Sequence, residues 1–408
     1  MEFALFYEIP VARPWHERSE LEAYHNCIEE AVLADQVGFH SFWTVEHHFL
    51  EEFSHCSAPG VLYGAIAART KRLRIGHGVR LLPFPYNHPI RAAEAAAVLD
   101  LICEGRLEFG TGRSSTRPEL EGFGILPDDT RSLWDEALRM IVGAWTEDVF
   151  SWEGKHFKFP PRRVIPKPIQ KPRPPLWVAT TSPESHEIAG RRGLGLLSFT
   201  IGVSPENLGE RIALYRKGLA EAEPIGKFVN NRAATFTMVH CAESNAEARR
   251  DAAESFEWYA RRGPELIATV GQWQAELNRD LKGYEYTQGF ANVDYSFMTF
   301  DVLDGLGACI AGDPEHCVEI AKRYKAAGCD LLLCLVQPRN IPHEKIMKSI
   351  EMFGRYVIPH FKNPRNFMRP AEDVMADIRA MRDQARAMGI YRDGSIRQPI
   401  KPNATAAE

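Results

Sequence analysis

The stretch RLRIGHGVRLLPFPYNHPIRAAEAAAVLDLICEGRLEFGTGR, residues 72–113, decides the fold. Its apolar run over 73–82 predicts a strand, and the alanine-rich segment over 90–103 predicts a helix that stops before the following glycine. A second strand is predicted over 107–112. A strand, a helix and a strand in this order form a right-handed crossover between parallel strands. The stretch therefore predicts one βαβ unit of a parallel sheet.

The same alternation of strand and helix continues along most of the chain. Strands are predicted over 3–9, 41–46, 73–82, 107–112, 176–180, 194–200, 233–241 and 331–336. Each is followed, sooner or later, by a helical pattern. No Gly-x-Gly-x-x-Gly turn follows the first strand, so a doubly wound sheet is disfavoured. The sequence predicts an α/β protein with a closed (β/α)₈ TIM barrel.

A barrel of this kind needs about 250 residues, and the chain has 408. We predict a barrel domain over 1–362, with insertions at about 148–175 and 244–311, and a C-terminal extension over 363–408. The second insertion follows the seventh strand and is rich in aromatic residues. Because loops after barrel strands line the catalytic face, this insertion is predicted to be a lid over an apolar ligand. Extra packing or an oligomer contact explains any single aromatic residue equally well.

Composition limits the classes of partner. The net charge of -5 gives no electrostatic footprint for nucleic acid or for an anionic membrane. The first residues lack a basic and then apolar signal segment, and no apolar run approaches the roughly 18 residues that span a bilayer. The eight cysteines form no Cys-x-x-Cys pair, which favours reduced, buried thiols. These features predict a cytoplasmic protein that acts on small molecules.

The segment TVEHHF, residues 44–49, delivers an acid and two histidines to the end of the second predicted strand. Three explanations compete for Glu46, His47 and His48: a metal site, a catalytic acid or base, and a polar loop. A metal site needs further ligands at other strand ends, and the ends of strands 1, 5, 6 and 8 supply none. His55 and Cys56 are the nearest residues that could complete such a site.

A second constellation is basic and rich in hydroxyl groups. The fourth strand is followed by Arg113, and the fifth by Thr180, Thr181 and Ser185 at the start of a predicted helix. Free N–H groups at a helix start bind anions, and an arginine binds phosphate through two parallel hydrogen bonds. Plain N-capping explains the hydroxyl residues alone. Together with Arg113 they predict a site for a phosphate monoester.

Four stretches together resemble the bacterial luciferase-like family of flavin-dependent monooxygenases, which fold as (β/α)₈ barrels. They are FWTVEHHF (42–49), the opening stretch (72–113), LWVATTSPESHEIAGRRG (176–193) and the segment from GDPEHC to VIPHF (312–361). The resemblance covers most of residues 1–361 outside the insertions. It implies that His47 lies near the reactive edge of the flavin and acts as an acid or base. A neutral imidazole can move a proton near neutral pH, because an unperturbed histidine titrates near 6.5. Glu46, His48 and His88 are then expected to be structural.

The resemblance also implies flavin-binding residues. Gly78 and Val79 match a backbone stretch against the isoalloxazine that is often a non-proline cis peptide. Arg113 matches the phosphate-binding arginine, and Thr180, Thr181 and Ser185 fall in the phosphate loop. Bacterial luciferase has a cysteine just before this arginine, where this chain has glycine, so light emission from an aldehyde is not implied.

The function implied by the resemblance is a flavin-dependent monooxygenase. It would use reduced FMN and O2 to oxidise a small, mostly apolar organic substrate through a C4a-(hydro)peroxyflavin. A separate flavin reductase would supply the reduced FMN, because the sequence carries no nicotinamide-binding motif. The chain is expected to form a homodimer. Two alternatives stay open: hydride transfer with the deazaflavin F420 without oxygen, and a barrel that binds flavin without catalysis.

Overall fold

A computed structural model describes residues 1–199 and 201–361, together with residue 383. The strands are β1 (Glu2–Tyr7), β2 (Ser41–Thr44), β3 (Arg74–His77), β4 (Arg80–Leu81), β5 (Leu107–Gly112), β6 (Phe150–Glu153), β7 (Lys158–Arg162), β8 (Leu176–Thr180), β9 (Gly195–Ser198), β10 (Ala233–Cys241), β11 (Cys309–Gly312) and β12 (Leu331–Leu335). The predicted extension over 363–408 lies outside the described residues, apart from residue 383.

Helices alternate with these strands, as the βαβ prediction requires. They are α1 (Ser19–Val37), α2 (Pro59–Arg69), α3 (Pro89–Ile102), α4 (Arg117–Gly122), α5 (Pro127–Thr146), α6 (Pro183–Arg191), α7 (Pro205–Ala220), α8 (Asn245–Leu277), α9 (Phe300–Leu306), α10 (Pro314–Ala326) and α11 (His343–Met352). Short 3₁₀ turns occur at Ile225–Lys227, Glu285–Phe290 and Ile358–His360, and a π turn at Phe353–Val357. Within the described part of the chain, no helix is long and apolar enough to cross a membrane.

The predicted closed barrel is confirmed. Going round it, β1, β2, β3, β5, β8, β9, β10 and β12 pair in parallel, and β12 returns to pair with β1. The predicted strand over 73–82 is divided into β3 and β4, which both pair with β5. The division falls at the Gly78–Val79 peptide, which is cis. Because the eight barrel strands are parallel, their carboxyl ends meet at one face of the barrel.

Apolar side chains hold the barrel together from both sides of its strands. All five residues of β12 are buried, which is typical of parallel strands covered by helices. Inside the barrel, Trp43 and Trp177 pack edge to face with ring centroids 5.5 Å apart. A Cβ atom on Gly76 would lie 2.1 Å from the Trp43 ring, so only glycine leaves room for this packing. The eight cysteines, all within the described residues, are buried and form no disulfide.

The two insertions have secondary structure of their own. The first, over 148–175, contains the antiparallel hairpin of β6 and β7. The second, over 244–311, begins with the 33-residue helix α8. Its last residues, 309–311, belong to β11, a strand that the sequence did not predict and that pairs in parallel with β10 outside the eight barrel strands. The strand β10 has nine residues, and only residues 233–235 pair with β9. Its C-terminal residues, 238–241, pair with β11 instead.

Most of the second insertion is packed firmly rather than loosely. Phe256 and Tyr259 of α8 are completely buried. A separate apolar cluster joins the insertion to α4 and the residues after it; its buried members are Leu120, Ile125, Val270, Leu281 and Tyr284. Leu281 and Tyr284 of this cluster lie in the segment between α8 and α9, residues 278–299, so this segment is anchored in part as well. The lid stays a prediction, and it concerns mainly the rest of this segment.

Candidate active site at the carboxyl end of the barrel

A cavity of about 400 Å³ opens at the carboxyl ends of the barrel strands. Its lining includes residues that follow β2, β3, β5, β8 and β9 directly. All seven residues predicted for the site line this one cavity: His47, Gly78, Val79, Arg113, Thr180, Thr181 and Ser185. They come from four separate strand ends, and closure of the barrel brings them together.

Much of the cavity wall is apolar. The apolar lining residues are Val45, Val79, Leu81, Trp134, Val178, Ala179, Ile188, Ala189 and Phe199. The indole N–H of Trp134 donates to the Thr111 hydroxyl at 3.0 Å, so the buried polar atom of this wall has a partner. Apolar walls with a few placed polar groups are typical of sites for small organic ligands and cofactors. The polar lining residues fall into two groups, one around His47 and one around Arg113.

His47 is held between two buried carboxylates. Its Nδ1 lies 2.9 Å from Oε1 of Glu119, and its Nε2 lies 3.6 Å from Oε2 of Glu8. Glu119, on α4, also accepts hydrogen bonds from the hydroxyls of Ser114 at 2.9 Å and Thr116 at 2.6 Å. The ring of His47 is therefore fixed in orientation by neighbours that are themselves fixed.

These carboxylates decide the charge of His47. Burial lowers the pKa of His47, but attraction to Glu119, a hydrogen bond to it and attraction to Glu8 outweigh burial and raise the pKa to about 9. Burial also acts on Glu119, but His47 and the hydroxyl donors hold the pKa of that carboxyl below its usual range. This pKa lies above the value near 6.5 of an unperturbed imidazole, and it favours an imidazolium at neutral pH that can donate a proton.

Glu119 was missed by the sequence reasoning. It is 72 positions from His47, and nothing local links the two residues. Thr116 and Glu119 form a Thr-x-x-Glu pattern, which ordinarily indicates a capping box at a helix start. The structure uses the same pattern differently, because the Thr116 hydroxyl donates to the Glu119 carboxylate.

Glu46, His48 and His88 make structural contacts, and Glu46 also lines the cavity. Glu46 accepts from the Leu81 backbone N–H at 2.9 Å and from the Asn87 side chain at 3.0 Å. His48 lies parallel to the Tyr86 ring, with centroids 6.0 Å apart, and burial lowers its pKa. The side chain of His88 caps α3.

His55 and Cys56 do not complete a metal site with the histidine pair. Nδ1 of His55 lies 2.9 Å from a carboxylate oxygen of Glu20, and the buried Cys56 thiol accepts from the Thr44 hydroxyl at 3.5 Å. Among the residues that the structure describes, no group of three or more His, Cys, Asp or Glu side chains could hold a metal ion.

The hydroxyl residues at the start of α6 serve partly as a cap. Ser182 Oγ accepts from the Ser185 N–H at 3.3 Å, which is the N-capping arrangement considered as an alternative. The Ser185 hydroxyl donates to the Ser182 carbonyl at 2.6 Å, and the Thr180 hydroxyl lies 3.4 Å from Nε2 of His186. Capping accounts for Ser182, while Thr181 and Ser185 still line the cavity beside the helix N-terminus.

Arg113 is oriented by two hydrogen bonds. It donates to the Thr130 hydroxyl at 3.0 Å and to the Gly283 carbonyl at 3.2 Å. Its guanidinium lies over the Tyr284 ring, 4.9 Å from the centroid. Thr130 is on α5, whereas Gly283 and Tyr284 belong to the second insertion. Arg113 therefore connects the barrel to the insertion at the edge of the cavity.

Three arginines of the lining were not predicted as site residues: Arg131, Arg191 and Arg192. Arg192 pairs with Asp135, which also lines the cavity. In the sequence, Arg191 and Arg192 stand at the C-terminal end of a helix, where basic residues are common because they interact favourably with the helix dipole. Arg191 pairs with Glu187 at 2.8 Å. The lining as a whole carries four arginines and two carboxylates, Glu46 and Asp135, and this excess of positive charge suits an anionic group.

The structure also accounts for the glycine before Arg113. A Cβ atom on Gly112 would lie 2.4 Å from Cγ2 of Val79. The side chain of Val79, next to the cis peptide, occupies the space that a side chain at 112 would need. A cysteine at this position, as in bacterial luciferase, is therefore incompatible with the present position of Val79.

The sequence model of the luciferase-like monooxygenase family matches residues 1–331. One relative is the oxygenase component of the flavin-dependent trigonelline monooxygenase of Acinetobacter baylyi, which is 32% identical over 212 residues. That alignment covers 52% of this chain and 56% of the relative. The chain thus aligns with little more than half the length of this curated relative.

Two solved structures have the same fold over most of the chain. Monooxygenase RslO1 from Streptomyces bottropensis has a TM-score of 0.72 and 25% identity, with 89% of this chain and 100% of that chain covered. The oxygenating constituent of 3,6-diketocamphane monooxygenase from Pseudomonas putida, a type II Baeyer–Villiger monooxygenase in complex with FMN, has a TM-score of 0.68 and 22% identity. This alignment covers 89% of this chain and 99% of that chain.

Proposed function

The chain belongs to the luciferase-like monooxygenase family, and we propose that it is a flavin-dependent monooxygenase that oxidises a small, mostly apolar organic substrate with reduced FMN and O2. One observation carries the proposal. A single cavity is lined by a histidine whose pKa is raised, by apolar walls, by four arginines and by the hydroxyl residues at the start of α6. This combination matches the separate needs of proton donation, a flat aromatic ring and a phosphate.

The residues of the cavity fit FMN. The cis peptide at Gly78–Val79 and the apolar lining would contact the isoalloxazine, and Arg113 with Thr180, Thr181 and Ser185 would hold the phosphate. A phosphate dianion gains most from a guanidinium fork and a helix N-terminus together. When bound, reduced FMN would supply the two electrons that activate O2.

The protein itself would then donate a proton and exclude water from the reaction. The imidazolium of His47 lines the cavity and can donate its Nε2 proton to an oxygen that gains negative charge. The apolar walls exclude water, which limits wasteful release of hydrogen peroxide. A barrel that only binds flavin has no need for a histidine fixed between Glu119 and Glu8 in this way.

Reaction with oxygen distinguishes FMN from F420. We expect the protein to bind reduced FMN and to change its rate of reoxidation by O2 relative to free reduced FMN, because the apolar cavity isolates the ring from water. Stopped-flow absorbance measures that rate, with reduced F420 as the parallel arm. Oxygen-independent turnover with reduced F420, and no effect on reduced FMN, would show that the chain is a hydride-transfer enzyme instead. Identical rates for bound and free reduced FMN would support a non-catalytic barrel.

Reduced FMN is proposed to come from a separate reductase in the cytoplasm. Residues after β1 form no dinucleotide-binding turn, and the trigonelline relative is an oxygenase component. The buried, unpaired cysteines agree with a reducing compartment. No role in binding nucleic acid or a membrane is proposed.

A homodimer is proposed through the outer face of α2 and α3. Val61 of α2 and Val98, Leu101 and Ile102 of α3 are exposed, with Val61 at 78%. A cavity of about 270 Å³ is lined by residues of both helices, among them Gly60, Gly64 and Ala95. An exposed apolar surface of this kind is typical of an interface, and a second copy of the chain would cover it.

The segment over 278–299 is expected to respond to ligand. Gly283 and Tyr286 line the cavity, and Arg113 bonds to Gly283. In the free protein we expect amide hydrogen exchange in this segment to be faster than in the barrel strands, and to slow when FMN binds. Helix α8 should be protected in both states, because Phe256 and Tyr259 are buried. Equal protection of 278–299 and the strands without ligand would make this segment a fixed wall.

A further inference from the structure

Glu8, the residue after β1, is completely buried beside His47. Its Oε1 accepts from the Tyr259 hydroxyl at 2.9 Å. Its Oε2 has no hydrogen-bond partner among the described residues and lies 3.6 Å from Nε2 of His47. A buried carboxylate oxygen without a hydrogen bond is costly to the fold. Stability alone therefore does not explain why this residue is a glutamate.

The orientation of His47 makes Nε2 the functional atom. Its Nδ1 is engaged with Glu119 at 2.9 Å, so any proton that passes between His47 and the cavity must use Nε2. Oε2 of Glu8, which does not line the cavity, lies 3.6 Å from Nε2. The other titratable groups that act on this pair come from the neighbouring loop and helices, and they are Glu46, His48, Cys56, Glu119 and Tyr259.

Tyr259 links Glu8 to the second insertion. Burial and the nearby Glu8 keep the pKa of Tyr259 well above its usual value, so its hydroxyl stays protonated and donates. Burial raises the pKa of Glu8 to about 7, against the opposing effects of His47 and the Tyr259 hydrogen bond. Phe53 contacts both Tyr259 and His47. Its ring is stacked on that of Tyr259, with centroids 5.3 Å apart, and lies edge-on to that of His47 at 6.1 Å.

We infer that Glu8 is a positioning residue for the proposed reaction, with its Oε2 holding the proton on Nε2 of His47 and Tyr259 holding Glu8 in place. The inference rests on the proposed function only for the use of that proton. In the step itself, the Nε2–H bond breaks, the proton passes to the negatively charged oxygen in the cavity, and no electrons leave the protein. Glu8 touches neither flavin nor substrate.

The chain contains a matched pair elsewhere that serves as a control. His343 also lies between two buried carboxylates, with Nδ1 2.7 Å from Glu30 and Nε2 3.2 Å from Glu29. The Tyr7 hydroxyl donates to Glu30, as the Tyr259 hydroxyl does to Glu8. Neither His343 nor Glu30 lines the cavity at the barrel mouth. Glu30→Gln therefore removes a carboxylate from the same kind of cluster outside the site.

The test is a titration of the His47 ring in the full-length, ligand-free protein. Its imidazole proton resonance, assigned by its loss in His47→Gln, is followed by NMR against pH. We expect Glu8→Gln to lower the pKa of His47 by about 1 unit or more, because an opposite charge at this distance favours the protonated ring. Tyr259→Phe should produce a smaller shift in the same direction, since Glu8 then binds its own proton more readily. Glu30→Gln should leave His47 unchanged.

The same variants are then compared in turnover. With reduced FMN, the pH above which product yield falls should be lower in Glu8→Gln than in wild type, by the same amount as the pKa shift seen by NMR. In Glu8→Asp this pH should lie between the values of Glu8→Gln and wild type. An unchanged His47 titration in Glu8→Gln overturns the role of Glu8, whatever the reaction. If Glu8→Gln does not fold, an unchanged titration in Tyr259→Phe overturns it. A shifted titration in a protein whose wild type has no flavin-dependent turnover overturns the proposed function instead.

Discussion

Replacing His47 with alanine is expected to lower product yield at least tenfold while the fold and the affinity for FMN are retained. General acids and bases typically contribute about 10²- to 10⁴-fold to a rate. Without the imidazolium, the reduced flavin should still consume O2 but release hydrogen peroxide in place of product. The measurement is the ratio of product to O2 consumed, with peroxide determined in parallel. A variant that couples O2 to product as well as wild type would contradict the assignment of His47.

His48→Ala is the matched control, because it removes the neighbouring imidazole. The His48 ring packs against Tyr86 and edge-on against Phe123, with centroids 6.0 and 4.8 Å apart. Loss of these aromatic contacts should lower the free energy of unfolding by about 1 kcal/mol and leave the coupling ratio near that of wild type. Treatment with a chelator should not change the activity of either protein. Loss of activity on chelation would favour a metal site instead.

The pH dependence of the same yield follows from the charge of His47. Its raised pKa, about 9, means that the proton donor is present at neutral pH and is lost as pH rises through that value. Product yield in the wild type should therefore fall, and peroxide should rise, above about pH 9. If His47 had an ordinary pKa, product yield would instead fall near pH 6.5. The pH at which the yield falls therefore shows whether His47 is neutral or charged at neutral pH.

Arg113→Ala should weaken the binding of FMN roughly 10- to 100-fold and that of riboflavin much less. Only FMN carries the phosphate, and a hydrogen bond to a charged group contributes about 1.5 to 3 kcal/mol, with each 1.4 kcal/mol equal to about tenfold in affinity. Both dissociation constants can be measured by quenching of flavin fluorescence. Equal weakening for the two ligands would show that Arg113 does not bind the phosphate.

Two further variants refine this measurement. Arg113→Lys keeps the charge and loses the planar fork, so its affinity for FMN should lie between those of wild type and Arg113→Ala. Arg323→Ala removes an arginine that pairs with Glu206 at 2.9 Å and does not line the cavity. It should leave both dissociation constants unchanged, which separates the local effect of Arg113 from a general loss of positive charge.

The barrel was accessible from the sequence because its signals are local. Apolar runs such as 331–336 and glycine-terminated helices such as the one ending before Gly38 are visible within a few residues. Once the strands are known, barrel closure requires their carboxyl ends to meet. The positions of His47, Arg113 and Thr180 around one cavity therefore follow from their places at strand ends. The strand β11 was not predicted, because its place depends on the C-terminal residues of β10 that extend beyond the pairing with β9, and the sequence does not show this pairing.

The charge of the site was decided by tertiary structure alone. Glu119 reaches His47 from 72 positions away, Glu8 reaches it from the first strand, and Arg192 enters the cavity lining from the end of a helix. The pKa of a buried ring depends on burial and on charges within a few ångströms, and spacing along the chain does not encode those distances. The sequence thus determined that a histidine would stand at the barrel mouth, and only the fold, by placing carboxylates beside both ring nitrogens, decided that it carries a proton there.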